Sequence, residues 1–86
     1  MQYRLRITSR AAKELEKLPS KIRARIEHAI EELADDPRPS RCKKLHGNAG
    51  WRIRVGDYRI LYDIQDDELI VTVLRAGHRR DIYRGL

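Results

Sequence analysis

Hydrophobic residues recur along the chain at two spacings, one typical of strands and the other of helices. Residues 2–7 alternate between polar and apolar side chains, which is the period of a half-buried strand. Ser9 can cap a helix that Pro19 stops, and Ser20 can cap a second helix that ends at residues 35–37. One apolar stripe along the second helix is formed by Ile22, Ile26, Ala29, Ile30 and Leu33. The N-terminal part is therefore predicted to be a strand followed by a helical hairpin.

The remainder of the chain predicts three strands after an irregular segment. Residues 37–50 contain two prolines and several turn formers, so we expect a loop there. Residues 51–55 and 58–64 alternate on either side of a Gly56-Asp57 turn, which predicts a hairpin. Residues 69–74 are apolar on both faces, as a covered central strand should be.

The predicted order of elements is β-α-α-β-β-β, which gives an α+β fold class. We expect an antiparallel β-sheet of about four strands, with the N-terminal helical hairpin packed on one face and the other face at least partly open. Neither side of the 37–50 segment could fold alone, so residues 1–86 are predicted to form a single domain. The open face is where a functional site can lie.

The charge of the chain is positive and concentrated in the middle. Its 19 Lys and Arg residues against 13 Asp and Glu give a net charge of +6, and the excess falls within residues 38–59. Such a surface attracts polyanions, so nucleic acid is a predicted partner. A basic run that is only a solvated face is the alternative that composition leaves open.

Cysteine usage and hydropathy predict a cytoplasmic location. Cys42 is the single cysteine, so no intramolecular disulfide can form, and a small secreted domain would normally contain one. The longest apolar-rich run, residues 69–74, is far too short to span a bilayer, so no membrane association is expected.

Three arginines are predicted to project together from the open face of the sheet. Arg52, Arg54 and Arg59 have the parity opposite to the buried positions of their strands. Guanidinium groups crowded on one face repel one another unless an anion neutralises them, and each can donate two hydrogen bonds to one phosphate. The group is therefore interpreted as a phosphate clamp, and Lys43 and Lys44 are expected to add long-range attraction. A solvated strand residue is the alternative for any one of them.

The last strand is followed by a short chemically rich segment. His78 is an acid or base candidate, Arg79 and Arg80 can bind RNA or stabilise an oxyanion, and the ring of Tyr83 can stack on a base or donate a proton. The alternatives are a half-exposed histidine at a strand end and a tyrosine that folds the tail back onto the sheet.

Several motifs together resemble the RelE branch of the RelE/ParE toxin superfamily. They are Lys43-Lys44-Leu45-x-Gly47, the run from Arg52 to Tyr62, Val73-Leu74-x-x-Gly77-His78-Arg79, and Tyr83. The resemblance covers nearly the whole chain and implies the same β-α-α-β-β-β fold. It also implies the toxin of a type II toxin–antitoxin pair, a ribosome-dependent endoribonuclease that cuts mRNA in the ribosomal A site.

The resemblance further implies which residues carry the reaction. RelE-like toxins use basic residues of the second strand, an arginine of the third, and an arginine and a tyrosine near the C-terminus. These positions correspond to Arg52, Arg54, Arg59, Arg79 and Tyr83 in this chain. A 2′-oxygen would attack the adjacent phosphate, which requires orientation, charge neutralisation and proton transfer. No metal or other cofactor is expected, since His28, His46, His78 and Cys42 lack compact ligand spacing.

Two features of this chain depart from the family pattern. The best-known member has lysines where Arg52 and Arg54 stand, and arginine is a poor general base because it hardly ever deprotonates. His78 is the substitute base candidate, since histidine exchanges protons near neutral pH. The chain also ends three residues after Tyr83, where many relatives continue into another helix.

The expected partners follow from the resemblance as well. They are a small RelB-like cognate antitoxin whose acidic segment wraps the basic face, the ribosome with its mRNA, and operator DNA reached only through the antitoxin complex. Two other functions remain open: a ParE-like inhibitor of DNA gyrase, and a nucleic-acid-binding module or co-repressor without catalysis.

Overall fold

The computed structural model describes residues 2–45 and 50–82, and within these ranges it contains two helices and one five-stranded sheet. The elements are β1 (Arg4–Ile7), α1 (Ser9–Glu16), α2 (Ser20–Asp35), β2 (Lys43–Lys44), β3 (Trp51–Val55), β4 (Tyr58–Gln65) and β5 (Ile70–His78). The α+β class and the helical hairpin between the first strand and the others are confirmed.

Both helices begin one residue away from the predicted arrangement. The cap of α1 is Thr8, whose hydroxyl oxygen accepts a hydrogen bond from the Ala11 amide at 3.1 Å, so Ser9 is already the first helical residue. Pro19 occupies the cap position of α2 without a side-chain bond, and Ser20 is helical rather than a cap. Proline suits this position because it lacks an amide hydrogen and its backbone is preset near the required conformation.

The strand order in the sheet is β1-β5-β4-β3-β2, with β1 parallel to β5 and the other neighbours antiparallel. The prediction of a wholly antiparallel sheet was therefore wrong at β1, because residue alternation fixes which face is buried but not strand direction. The prediction of about four strands missed β2, which consists of only two residues in the segment expected to be a loop. The Leu45 amide donates to the Gly50 carbonyl at 2.8 Å and holds β2 against β3.

The core lies between the helices and one face of the sheet. The predicted stripe of α2 is buried at Ile26 and Leu33, and it packs with strand residues such as Ile53 and Val71. Burying each such side chain contributes about 1.5–3 kcal/mol of hydrophobic stabilisation. The helices thus cover one face, and strand residues of opposite parity are directed to the other face.

Tyr62 shows how the segment after α2 is fixed to this core. Its ring is fully buried, and its hydroxyl donates to the Pro37 carbonyl oxygen at 2.7 Å. Burial raises the pKa of the Tyr62 hydroxyl above its usual range, so the group stays protonated and remains a donor. The start of the basic segment is therefore anchored to the centre of β4.

Candidate nucleic-acid interface

Strand register places four basic residues on the sheet face opposite the helices. Arg54 pairs with Arg59 across β3 and β4, and Lys43 pairs with Arg52 across β2 and β3. The intervening Ile53 is fully buried toward the helices, so its neighbours have the opposite direction. We call Lys43, Arg52, Arg54 and Arg59 the basic face. The predicted common face of Arg52, Arg54 and Arg59 is confirmed by this register.

Arg59 does not project into solvent as the sequence predicted. Only 8% of the residue is exposed, whereas Arg54 is exposed and Arg52 is half-buried. Its Nη1 donates to the carbonyl oxygens of Gly56 at 3.3 Å and Tyr58 at 3.0 Å. The guanidinium is turned back onto the carbonyls at the β3–β4 turn. Its charge therefore lies beneath the surface of the basic face, and the exposed Arg54 lies at the surface.

Lys44 lies on the other side of the sheet from Lys43. It pairs with Trp51, and its Nζ is 5.9 Å from the centre of the Trp51 ring, while the Arg38 guanidinium is 5.1 Å from that ring. Adjacent strand residues point to opposite faces, so Lys43 alone joins the basic face. Lys44 and Arg38 instead make cation–π contacts with an aromatic side chain that packs against the core.

Apolar residues cover part of the face that the sequence predicted to be open. Leu61, which pairs with Arg52, is 1% exposed, and Ile82 is 0% exposed. The Ile82 Cδ1 atom lies 3.6 Å from the point where a Cβ of Gly77 would be. Gly77 pairs with Arg59, so the chain after β5 folds back beside that arginine. Sequence reasoning missed this packing, although an apolar residue two positions after a pair of arginines was a usable signal.

Residues 79–82 form the C-terminal turn that follows β5, and backbone hydrogen bonds bring it next to the β3–β4 turn at Gly56-Asp57. The Arg79 amide donates to the Asp57 carbonyl at 2.8 Å, and the Asp81 and Ile82 amides both donate to the His78 carbonyl. Arg79 and Arg80 are exposed. The structure therefore brings Arg79 to the end of the hairpin that carries Arg54 and Arg59, while Tyr83 lies outside the described residues.

His78 is positioned differently from the arginines. It pairs with Tyr58, and the two rings form an edge-to-face contact with 5.4 Å between centroids. Tyr58 has the parity of the buried residues Ile60 and Tyr62, so the strand position of His78 belongs to the helix-covered side. The Nδ1 atom of His78 accepts a hydrogen bond from the Arg80 amide at 3.2 Å. In the neutral ring the hydrogen is therefore assigned to Nε2. The nitrogen that could accept a proton is thus engaged by the tail.

A shallow cavity of about 380 Å³ is lined by the end of α2 and the following segment, including Glu32, Asp36 and Arg41, and it includes no residue of the basic face.

Among residues 2–45 and 50–82, no three His, Cys, Asp or Glu side chains are grouped to hold a metal ion. Over the same ranges, neither helix has the length and apolar character needed to cross a membrane.

Solved structures with this architecture include RelE toxins in complex with RelB antitoxins and RelE toxins alone. The RelE–RelB complex from Pyrococcus horikoshii superposes with a TM-score of 0.81 at 28% identity, covering 94% of this chain and 99% of that one. The RelBE2 complex from Mycobacterium tuberculosis gives a TM-score of 0.79 at 35% identity, covering 92% and 100%. The fold is therefore that of a RelE-like toxin.

Sequence comparison identifies the family. The model described as the ParE toxin of the type II toxin–antitoxin system parDE matches residues 5–83. Toxin RelG of Mycobacterium tuberculosis is 40% identical over 89 residues, covering 98% of this chain and 99% of the relative. The mRNA interferase toxin RelE of Escherichia coli is 32% identical over 82 residues, covering 92% and 85%. This chain belongs to the RelE/ParE family of type II toxin–antitoxin toxins.

Proposed function

We propose that this chain is a ribosome-dependent endoribonuclease that cleaves mRNA in the A site without a metal ion. The observation that carries the proposal is that Arg54 and Arg59, paired across β3 and β4, lie on the hairpin whose turn accepts a hydrogen bond from the Arg79 amide. The name mRNA interferase for the E. coli relative supports it. The cytoplasm, where ribosomes work, is the proposed location.

The reaction would be an internal transfer at one phosphate. The ribose 2′-oxygen loses its proton and forms a bond to the adjacent phosphorus, while the bond from phosphorus to the 5′-oxygen breaks and that oxygen gains a proton. The products are a 2′,3′-cyclic phosphate and a 5′-hydroxyl. Fixed donors aimed at the developing charge lower this barrier without any further cofactor.

Each residue of the site has a proposed part in this transfer. Arg52 and Arg54 would orient the phosphate through bidentate hydrogen bonds, and buried Arg59 would hold a fixed positive charge beneath it. Arg79 would donate to the phosphorane oxygens. Lys43 and Arg80 would bind flanking phosphates, Lys44 would add attraction from the opposite face, and Tyr83 would stack on a base or protonate the leaving oxygen.

His78 stays the candidate for the general base, with a geometric condition attached. Its Nδ1 accepts from the Arg80 amide, so it can take a proton there only after that bond opens. RNA binding to Arg80 could open it. If the bond persists in the complex, His78 acts by holding the tail, and the arginines supply the main catalytic effect by electrostatic stabilisation.

The proposed inhibitor is a RelB-like antitoxin whose acidic segment covers the basic face. Support comes from the solved complexes of the relatives with RelB proteins and from the charge of this surface. Contact with operator DNA would then occur only through that complex.

The test is to induce the protein in cells and map mRNA 5′ ends on ribosomes, with Arg79→Ala and Arg80→Ala as matched variants. We expect codon-linked cuts whose rate falls by ~10²–10³ in Arg79→Ala, the size of losing one transition-state donor. Arg80→Ala, which removes the same charge one residue further on, should mainly weaken binding. Equal losses in the two variants would refute the assigned role of Arg79.

A gyrase inhibitor is the second candidate, because the matching family model is that of ParE toxins. It predicts growth arrest with intact mRNA and damaged DNA in the same experiment. A binding module without catalysis predicts neither mRNA cuts nor DNA damage, and only operator occupancy together with the antitoxin.

A further inference from the structure

We propose that Glu14 and Arg75 are positioning residues that clamp the C-terminal turn in place and so hold Arg79 beside the basic face. This inference rests on the proposed nuclease function. Neither residue is among those that the family resemblance implies. Glu14 lies on α1 and Arg75 on β5, 61 residues further along the chain. Three elements are involved, namely α1, β5 and the C-terminal turn.

The Arg75 guanidinium is hydrogen-bonded to other groups of the protein. The residue is 8% exposed, and its register partner Leu61 belongs to the same sheet face as Arg52. Its Nε and Nη2 donate to the Glu14 carboxylate at 3.2 and 2.8 Å, and its Nη1 donates to the Ile82 carbonyl at 2.8 Å. With its charge matched by a carboxylate, Arg75 binds the tail rather than contributing to phosphate attraction.

The Glu14 carboxylate accepts hydrogen bonds both from Arg75 and from the edge of β5. The strand β1 ends at Ile7, opposite Val73, so the amides of β5 beyond that point have no β1 partner. The Glu14 carboxylate accepts from one of them, that of Ala76, at 3.1 Å, while its other oxygen accepts from Arg75. One side chain of α1 therefore replaces the missing strand partner and orients the guanidinium.

The C-terminal turn is held at both of its ends. At the start, the Arg79 amide donates to the Asp57 carbonyl, and at the end, Arg75 donates to the Ile82 carbonyl. Between them the Ile82 amide closes the turn on the His78 carbonyl at 3.0 Å. Removing the Arg75 bond would release one end, and a displacement of about 1 Å of a catalytic group can reduce a rate by about 10²-fold.

The first experiment separates positioning from phosphate binding. Arg75→Met and Glu14→Gln are compared with Glu16→Gln, a change of the same type two residues away on an exposed position of α1. Cleavage is measured on programmed ribosomes in a single turnover at saturating toxin, with rates expressed per folded molecule. Affinity and its salt dependence are measured separately on single-stranded RNA.

We expect the single-turnover rate to fall ~10–100-fold in Arg75→Met and less in Glu14→Gln, whose amide oxygen can still accept hydrogen bonds. RNA affinity should change by less than ~3-fold, with an unchanged salt slope, because no phosphate contact is lost. Arg75→Lys should restore part of the rate. A weaker affinity together with a salt slope reduced by about 0.7 would make Arg75 a phosphate ligand and overturn the proposal.

The second experiment does not depend on nuclease activity. Hydrogen exchange is followed at the amides of Arg79, Asp81 and Ile82, which are bonded within or next to the turn. Arg75→Met and Glu14→Gln should lower protection there by ~10-fold, and Glu16→Gln should not. If the wild-type protein cuts no RNA, the proposed function fails while this measurement still decides whether the clamp exists. Unchanged protection in both variants would overturn the positioning role.

Discussion

The salt dependence of RNA binding should identify the residues that contact phosphate. Among the described residues, five cations are proposed to contact phosphate: Lys43, Arg52 and Arg54 of the basic face, and the exposed Arg79 and Arg80 beside it. Five phosphate contacts on a single strand give a log–log slope of about −3.5, so a fourfold rise in salt should weaken binding ~130-fold. Arg54→Gln leaves four contacts, and the same rise in salt should then weaken binding only ~50-fold.

The measurement is fluorescence anisotropy of a labelled single-stranded RNA titrated with protein from about 50 to about 200 mM salt. Arg10→Gln is the matched control, because Arg10 is an exposed residue of α1, a helix that packs into the core on the other side of the sheet, and its loss changes the net charge equally. The control should keep the wild-type slope. Identical slopes in all three proteins would show that general charge, and not the arrangement of the basic face, attracts RNA.

Three further predictions concern the framework of the site. Gly50→Ala should destabilise the fold by more than about 1–2 kcal/mol in urea unfolding, since φ is +85° and a Cβ would collide with the Tyr62 carbonyl oxygen; a wild-type midpoint would contradict this. Tyr62→Phe should cost about 1–3 kcal/mol by leaving the buried Pro37 carbonyl without its donor, measured by thermal unfolding. Hydrogen bonding from Arg38 lowers the pKa of Asp66 to about 2, so this pair should stabilise the protein above about pH 4, with the contribution lost as the pH falls toward 2. Asp66→Asn should flatten that part of the pH–stability curve.

Residue alternation was sufficient to predict the face of each arginine. A strand has a period of two, so the buried positions Ile53 and Ile60 fix the direction of their neighbours Arg54 and Arg59. The helical hairpin could be predicted equally well, because the apolar residues of α2 recur at helical spacing. What these patterns share is that the information lies within one element.

The features that were not predicted depend on contacts between distant parts of the chain. The strand β2 has two residues, too few to show a period, and it exists because β3 offers an edge to pair with. Arg59 is withdrawn from solvent by carbonyls of a turn, and Glu14 meets Arg75 only after α1 reaches the end of β5. Tyr83 was predicted as a site residue and stays a prediction, since it lies outside the described residues.

Under the proposed function, the basic face would bind both an RNA and an antitoxin. Arg54 and Arg59 occupy paired positions of β3 and β4. We expect phosphates and the carboxylates of an acidic peptide to compete for the guanidinium groups of this face, because arginine binds both kinds of anion with the same hydrogen-bond geometry. If both ligands use the same guanidinium groups, their binding is mutually exclusive, and the antitoxin would inhibit by covering the basic face without any change in the shape of the toxin.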